Sequence, residues 1–229
     1  MLYALGISFL TGVVGTAAGG VLVSFVKSPN KNLPGIMMGF SGGIMLSIVL
    51  FDMFPHAFEG DGSKLVPITA VLLGGLVLHI FHAILPGHDH QHSPAAFQHN
   101  MRSTAIMLLT GIILHNLPEG LAIGSGLTHG ETTMDNFGVS LSLLLLLHNI
   151  PEGVALAAPM KLSGTKTAGL IGITALAGFP ITLGAGIGWL VGNISETILN
   201  ACIAFAGGAM LYITIRELLP DAIGLSKNK

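Results

Sequence analysis

Seven runs of about twenty apolar residues, separated by short polar stretches, leave this chain one solvent in which to fold. A hydrocarbon core about 30 Å thick takes roughly 20 residues of helix. Inside it every backbone polar group must be bonded internally, so a chain of this kind crosses as helices. The runs lie at about 3–26, 35–58, 66–85, 103–127, 137–160, 168–191 and 197–219. Only 9% of the 229 residues are charged and 51% are hydrophobic, against about 25% charged in a typical soluble domain. The reading is an all-α integral membrane protein, a polytopic helix bundle in which 1–229 form a single transmembrane domain. The first run lacks a basic n-region and is long for a signal peptide, so it is expected to be retained as a span. A formal net charge of −2 with no basic patch excludes nucleic acid as a partner. A single cysteine, Cys202, excludes a disulfide framework. The thirty-two glycines fit close helix approach in lipid.

Orientation follows from the cations. Lys27, Lys31, Arg102, Lys161, Lys166, Lys227 and Lys229 fall on one side, and Lys64 alone on the other. The positive-inside bias puts the N-terminus outside, in a plasma or inner membrane.

Two segments then echo each other. FSGGIMLSIVLFDMFPHA (Phe40–Ala57) in span two aligns without gaps with FAGGAMLYITIRELLPDA (Phe205–Ala222) in span seven, with eight identities in eighteen positions. Both end acid-x-x-Pro-x-Ala, at Asp52 and Glu217. Five spans separate them, so they cross in opposite directions, as in the inverted repeats of transporters. A three-helix repeat unit expects an eighth span that the sequence to Lys229 does not contain: either the chain is cut short there or the protein has seven.

The chemistry lies in a doublet. His115-Asn-Leu-Pro-Glu-Gly120 in span four returns as His148-Asn-Ile-Pro-Glu-Gly153 in span five. Ionisable residues at bilayer depth are costly and mark function. Residues four apart share a helix face, so His115 pairs with Glu119 and His148 with Glu152. Pro118 and Pro151 lack an N–H and loosen the carbonyls of Leu114 and Leu147. Spans four and five are antiparallel neighbours, so two imidazoles and two carboxylates converge on a four-ligand set for Zn²⁺, or for Fe²⁺ or Mn²⁺. Two glutamates neutralise one divalent cation. Asn116 and Asn149, one step round each helix, are either further oxygen ligands or hydrogen-bond donors to a neighbouring helix.

Further groups sit at the edges. The segment 86–102 is expected to form a His-containing cytoplasmic loop in which His88, His90 and His92 hold metal loosely. Asp52, His56 and Glu59 close the outer end of span two, and Glu217 and Asp221 the inner end of span seven. Inverted symmetry makes these the two mouths of one pathway.

The doublet resembles the HNxPEG and [HEQ]NxPEG-type sequences on helices four and five of the ZIP (Zrt-, Irt-like protein) family of divalent-metal transporters. The resemblance runs over nearly the whole chain, including the span count, the external N-terminus and the echo of span two in span seven. It implies a mononuclear or binuclear site from His115, Glu119, His148 and Glu152, with Asn116 and Asn149 completing a second position. It also implies homodimers, and a transport bundle of spans one, four, five and six moving against a scaffold. Two departures matter. Many relatives carry a Glu before a Pro in helix six, where this chain reads Gly178-Phe179-Pro180 and span six has no acid; one principal ion is therefore expected. The family's eighth helix has no counterpart, which bears on scaffold closure and dimerisation.

The function expected is transport of zinc, with iron, manganese or cadmium as further substrates, into the cytoplasm by alternating access, with no organic cofactor. The alternatives are a membrane-embedded zinc hydrolase and a metal sensor or channel. HExxH is absent, and a two-His, two-Glu set closes the position a catalytic zinc keeps open for water.

Overall fold

The computed structural model describes residues 1–30, 32–59, 63–84, 101–128 and 136–226. All regular structure among them is helical. Seven helices follow in order: α1 (Leu2–Phe25) and α2 (Leu33–Ala57), α3 (Leu65–Ile84), α4 (Met101–Gly126), α5 (Phe137–Leu162) and α6 (Thr167–Gly192). The last, α7, joins Glu196–Ile213, a π-turn at Thr214–Leu218 and Leu219–Ser226. Among the described residues α1, α2, α5, α6 and α7 are long and apolar enough to cross a membrane, and α3 offers a shorter apolar stretch, Leu65–Ile80. At 26 residues α4 also has the length to cross a membrane. The side chains of Asn136 and Ser195 cap the first turns of α5 and α7, accepting from Val139 N and Ile198 N at 3.3 Å each.

The echo between α2 and α7 extends to backbone geometry. α2 carries a π-turn at Val49–Met53, and α7 carries one at Thr214–Leu218. In the alignment Val49 meets Thr214, and each π-turn stands just before a proline, Pro55 or Pro220. A proline ring clashes with the carbonyl four residues back; a widened turn moves that carbonyl aside, so the helix continues. For this reason α7 runs to Ser226 rather than ending near 219. Gly42 of α2 faces Leu218 and Leu219, while Gly207 of α7 faces Phe54. Early positions meet late ones, so the two helices are antiparallel.

Backbone-to-backbone contact divides the helices into two groups. In the first, a Cβ on Gly184 or Gly188 of α6 would overlap the carbonyls of Leu117 and Leu121 of α4, and one on Gly153 of α5 would overlap Thr16 of α1. Thr16 Oγ1 also donates to Thr174 O of α6 at 2.7 Å. Lys161, at the end of α5, donates from Nζ to Val23 O and Ser24 O at 3.0 and 2.7 Å, placing a cation on the last carbonyls of α1 where the helix dipole favours it. Thus α1, α4, α5 and α6 form one tight body. In the second group, Gly74 of α3 and Gly208 of α7 meet the backbones of Phe205 and Val71, and α2 lies along α7. Side chains, rather than backbones, fill the seam between α2 and α5.

Gly188→Val is expected to force α6 away from α4 and cost about 1–3 kcal/mol, as overpacking does. A thermal-shift measurement in detergent should show a lower Tm; an unchanged Tm would contradict the close approach.

Candidate metal centre

Each motif is pinned by its asparagine. Asn116 Nδ2 donates to Ala177 O of α6 at 2.7 Å, and Asn149 Nδ2 donates to Thr11 O of α1 at 3.0 Å. Both acceptors lie where the helical ladder is disturbed. Thr11 sits in a third π-turn, Leu10–Val14, and Ala177 lies in the turn preceding Pro180. Because a carbonyl can only accept, each asparagine must turn its NH₂ outward. The amide oxygen then faces the other way. Asn116 Oδ1 and Asn149 Oδ1 are both buried and have no hydrogen-bond partner among the described residues. Of the two sequence readings, the interhelical bond is therefore present, and an acceptor oxygen is left over on each helix.

The ionisable groups meet between these anchors. His148 Nε2 lies 3.0 Å from Glu152 Oε1, its partner one turn along α5, and 3.4 Å from Glu119 Oε1 across on α4. The contact with Glu119 is close without hydrogen-bond geometry, and neither Glu119 oxygen has a hydrogen-bond partner among the described residues. The face of the cluster toward α2 is closed by Ser41. Its hydroxyl is 2.9 Å from His148 Nδ1 and 3.4 Å from Glu152 Oε1, and its carbonyl oxygen is 3.1 Å from Nδ1. Ser41, Asn116, Glu119, His148, Asn149 and Glu152 are all 0% exposed.

The structure thus brings Glu119, His148 and Glu152 together, with Asn116 and Asn149 beside them. It does so as a set of side chains bonded to one another: among the described residues no three His, Cys, Asp or Glu groups are arranged to hold a metal ion. The side chain of His115, the remaining member of the expected set, lies outside the described residues, as do that of Glu217 and the whole of His88, His90 and His92. Each buried carboxylate oxygen left unpaired costs on the order of 1–3 kcal/mol, and more when charged. Such a cluster is expensive as structure and suited to capturing a cation.

Near the C-terminal end of α2, Asp52 falls in the π-turn and is half-buried, with Oδ2 lacking a hydrogen-bond partner among the described residues. It lines a groove of about 570 Å³ that runs along α2 past Ser47 to Gly39. His56 Nδ1 is 3.3 Å from Glu59 Oε2, and its ring stacks on Phe137 at the start of α5, with centroids 4.2 Å apart. Asp221 is buried near the C-terminal end of α7.

Sequence reasoning missed Ser41 and Thr11. The repeat held a signal for the first: Ser41 aligns with Ala206, so α2 carries a hydroxyl where its counterpart has none. Thr11 carried no signal, since what it contributes is a main-chain oxygen.

Comparison with known proteins agrees in family. A family model described as ZIP zinc transporter matches residues 81–228. The zinc transporter ZupT of Escherichia coli is 33% identical, over 96% of this chain and 87% of that protein. The zinc transporter GufA of Myxococcus xanthus is 32% identical, over 80% of this chain and 72% of its own length.

Asn149→Ala removes a buried interhelical hydrogen bond and should cost about 0.5–1.5 kcal/mol. Thermal unfolding of metal-free protein should register the loss, and equal stability would show that Asn149 does not anchor α5 to α1.

Proposed function

The chain belongs to the ZIP family of zinc transporters, and from that premise we propose that it carries Zn²⁺ across the membrane through the cluster between α4 and α5. The observation that carries this reading is a fully buried group of one imidazole and two carboxylates, together with two buried amide oxygens that have no partner among the described residues. A divalent cation answers both requirements of that group: it neutralises the two glutamates and gives the orphaned oxygens something to bind. It is a transporter rather than an enzyme. Fe²⁺, Mn²⁺ and Cd²⁺ are further substrates that imidazole and carboxylate can hold.

One ion is bound at a time. The α6 turn that faces Asn116 reads Gly178-Phe179-Pro180 and brings no acid, so a second divalent ion would lack balancing charge. His115, on the same face of α4 as Glu119, supplies the second imidazole.

Transport by alternating access needs one side closed while the other opens. Toward the end of α2 that bears Asp52, the seam is packed with Met45, Val49 and Met53 from α2 and Leu141 and Leu145 from α5, all 0% exposed. This apolar layer separates His56 and Asp52 from His148. With the N-terminus outside, as the lysine distribution favours, the closed end is the external one and the ion is released inward. Asp52 and His56 receive ions at the outer mouth; Asp221 and Glu217 lie toward the inner one. Opening the outer route requires α5 to slide against α2 along this apolar seam.

Zinc flux into proteoliposomes tests the site. His148→Ala and Glu152→Ala are each expected to reduce flux at least tenfold, in line with loss of a metal ligand or its support. Robust flux in both variants would sink the proposal. Asp52→Ala should slow uptake at low zinc concentration, and an unchanged rate and affinity would remove it from the pathway.

A further inference from the structure

Ser41 belongs to α2, which packs against α7, yet it hydrogen bonds to two ligands carried by α5. The geometry assigns it a specific task. The main-chain oxygen of Ser41 can only accept, and it lies 3.1 Å from His148 Nδ1; the proton on that nitrogen therefore points at Ser41. Its hydroxyl lies 2.9 Å from the same nitrogen and 3.5 Å from Nε2, and donates to Glu152 Oε1 at 3.4 Å. The ring is left with Nε2 directed at the carboxylates of Glu119 and Glu152. Neutral imidazole binds a metal through one nitrogen while the other donates to a fixed acceptor, and that acceptor sets both tautomer and ring orientation.

We infer that the hydroxyl of Ser41 is a positioning group for ion binding: beside the main-chain acceptor, which every substitution keeps, it holds the His148 ring and Glu152 in register, and does so only while α2 is engaged with α5. This rests on the reading of His148 and Glu152 as ligands. Its consequence is that affinity depends on conformation. When α5 slides along α2, both hydrogen bonds break, and the same four side chains hold their ion less tightly. A bound ion shifts the balance between the two states only through such a difference in affinity.

Zinc binding by isothermal titration and zinc uptake by proteoliposomes, on the full chain, test the assignment. Ser41→Ala is expected to raise Kd and KM about tenfold, as loss of a hydrogen-bond partner of a metal ligand does, while uptake at saturating zinc stays within about twofold of wild type. Ser41→Thr and Ser41→Val have the same shape and differ by the hydroxyl, so they decide the matter even if the alanine variant folds poorly. Threonine should bind zinc at least fivefold more tightly than valine. Equal affinity in the threonine and valine variants, or an alanine variant within twofold of wild type, would overturn the role of Ser41. His148→Ala and Glu152→Ala measured alongside separate the two levels. Wild-type zinc affinity in both would overturn the site itself and this inference with it; loss of binding there, with unaffected Ser41 variants, would overturn Ser41 alone.

Discussion

A carboxylate buried away from water must be compensated, and this protein places two within reach of one imidazole, all three fully buried. Buried charges left unpaired cost several kcal/mol, so the rest of the molecule can be understood as the means of holding Glu119 and Glu152 together. The helices that carry them approach closely because glycines line their contacts with α1 and α6. The two asparagines tie those helices to main-chain oxygens of the outer pair. Close approach and polar anchoring reinforce each other: neither a bulky side chain nor a free amide would allow the cluster to stay dry and ordered.

The pseudosymmetry of the anchors explains why the tract occurs twice. Asn116 holds α4 to α6, and Asn149 holds α5 to α1. In each case the nitrogen of the amide is used in the hydrogen bond, and its buried oxygen has no partner among the described residues. One residue thereby does a structural job with its nitrogen and keeps an acceptor oxygen in reserve. The body formed by α1, α4, α5 and α6 is tight because backbone meets backbone at its glycines. The seam with α2 is filled instead by Met45, Val49 and Met53, all fully buried.

Much of this was legible in the sequence, for physical reasons that also mark its limits. Helix number follows from the length of apolar runs, and the His-x3-Glu spacing follows from the helical period, so both could be read directly. The α2–α7 echo was visible as Asp52 and Glu217 three residues before a proline. What no periodicity could reveal was that both helices widen at the same register, at Val49–Met53 and Thr214–Leu218, since π-turns there use the same apolar residues as the surrounding helix. The π-turn lets the helix of α7 pass Pro220 and continue beyond the apolar run that ends near 219. Main-chain partners such as Thr11 O and Ala177 O were invisible because any residue can supply them. Ser41 was missed because its contact joins distant helices, which no local spacing encodes.

The central claim is that one ion is held by the imidazoles and carboxylates of the paired tracts. Zinc K-edge X-ray absorption on purified protein loaded with one equivalent of zinc tests it most directly. The account predicts a first shell of four nitrogen and oxygen atoms at about 2.0–2.2 Å, with outer-shell scattering from two imidazoles. A sulfur-containing shell, a spectrum of hydrated zinc, or a shell without imidazole would contradict it.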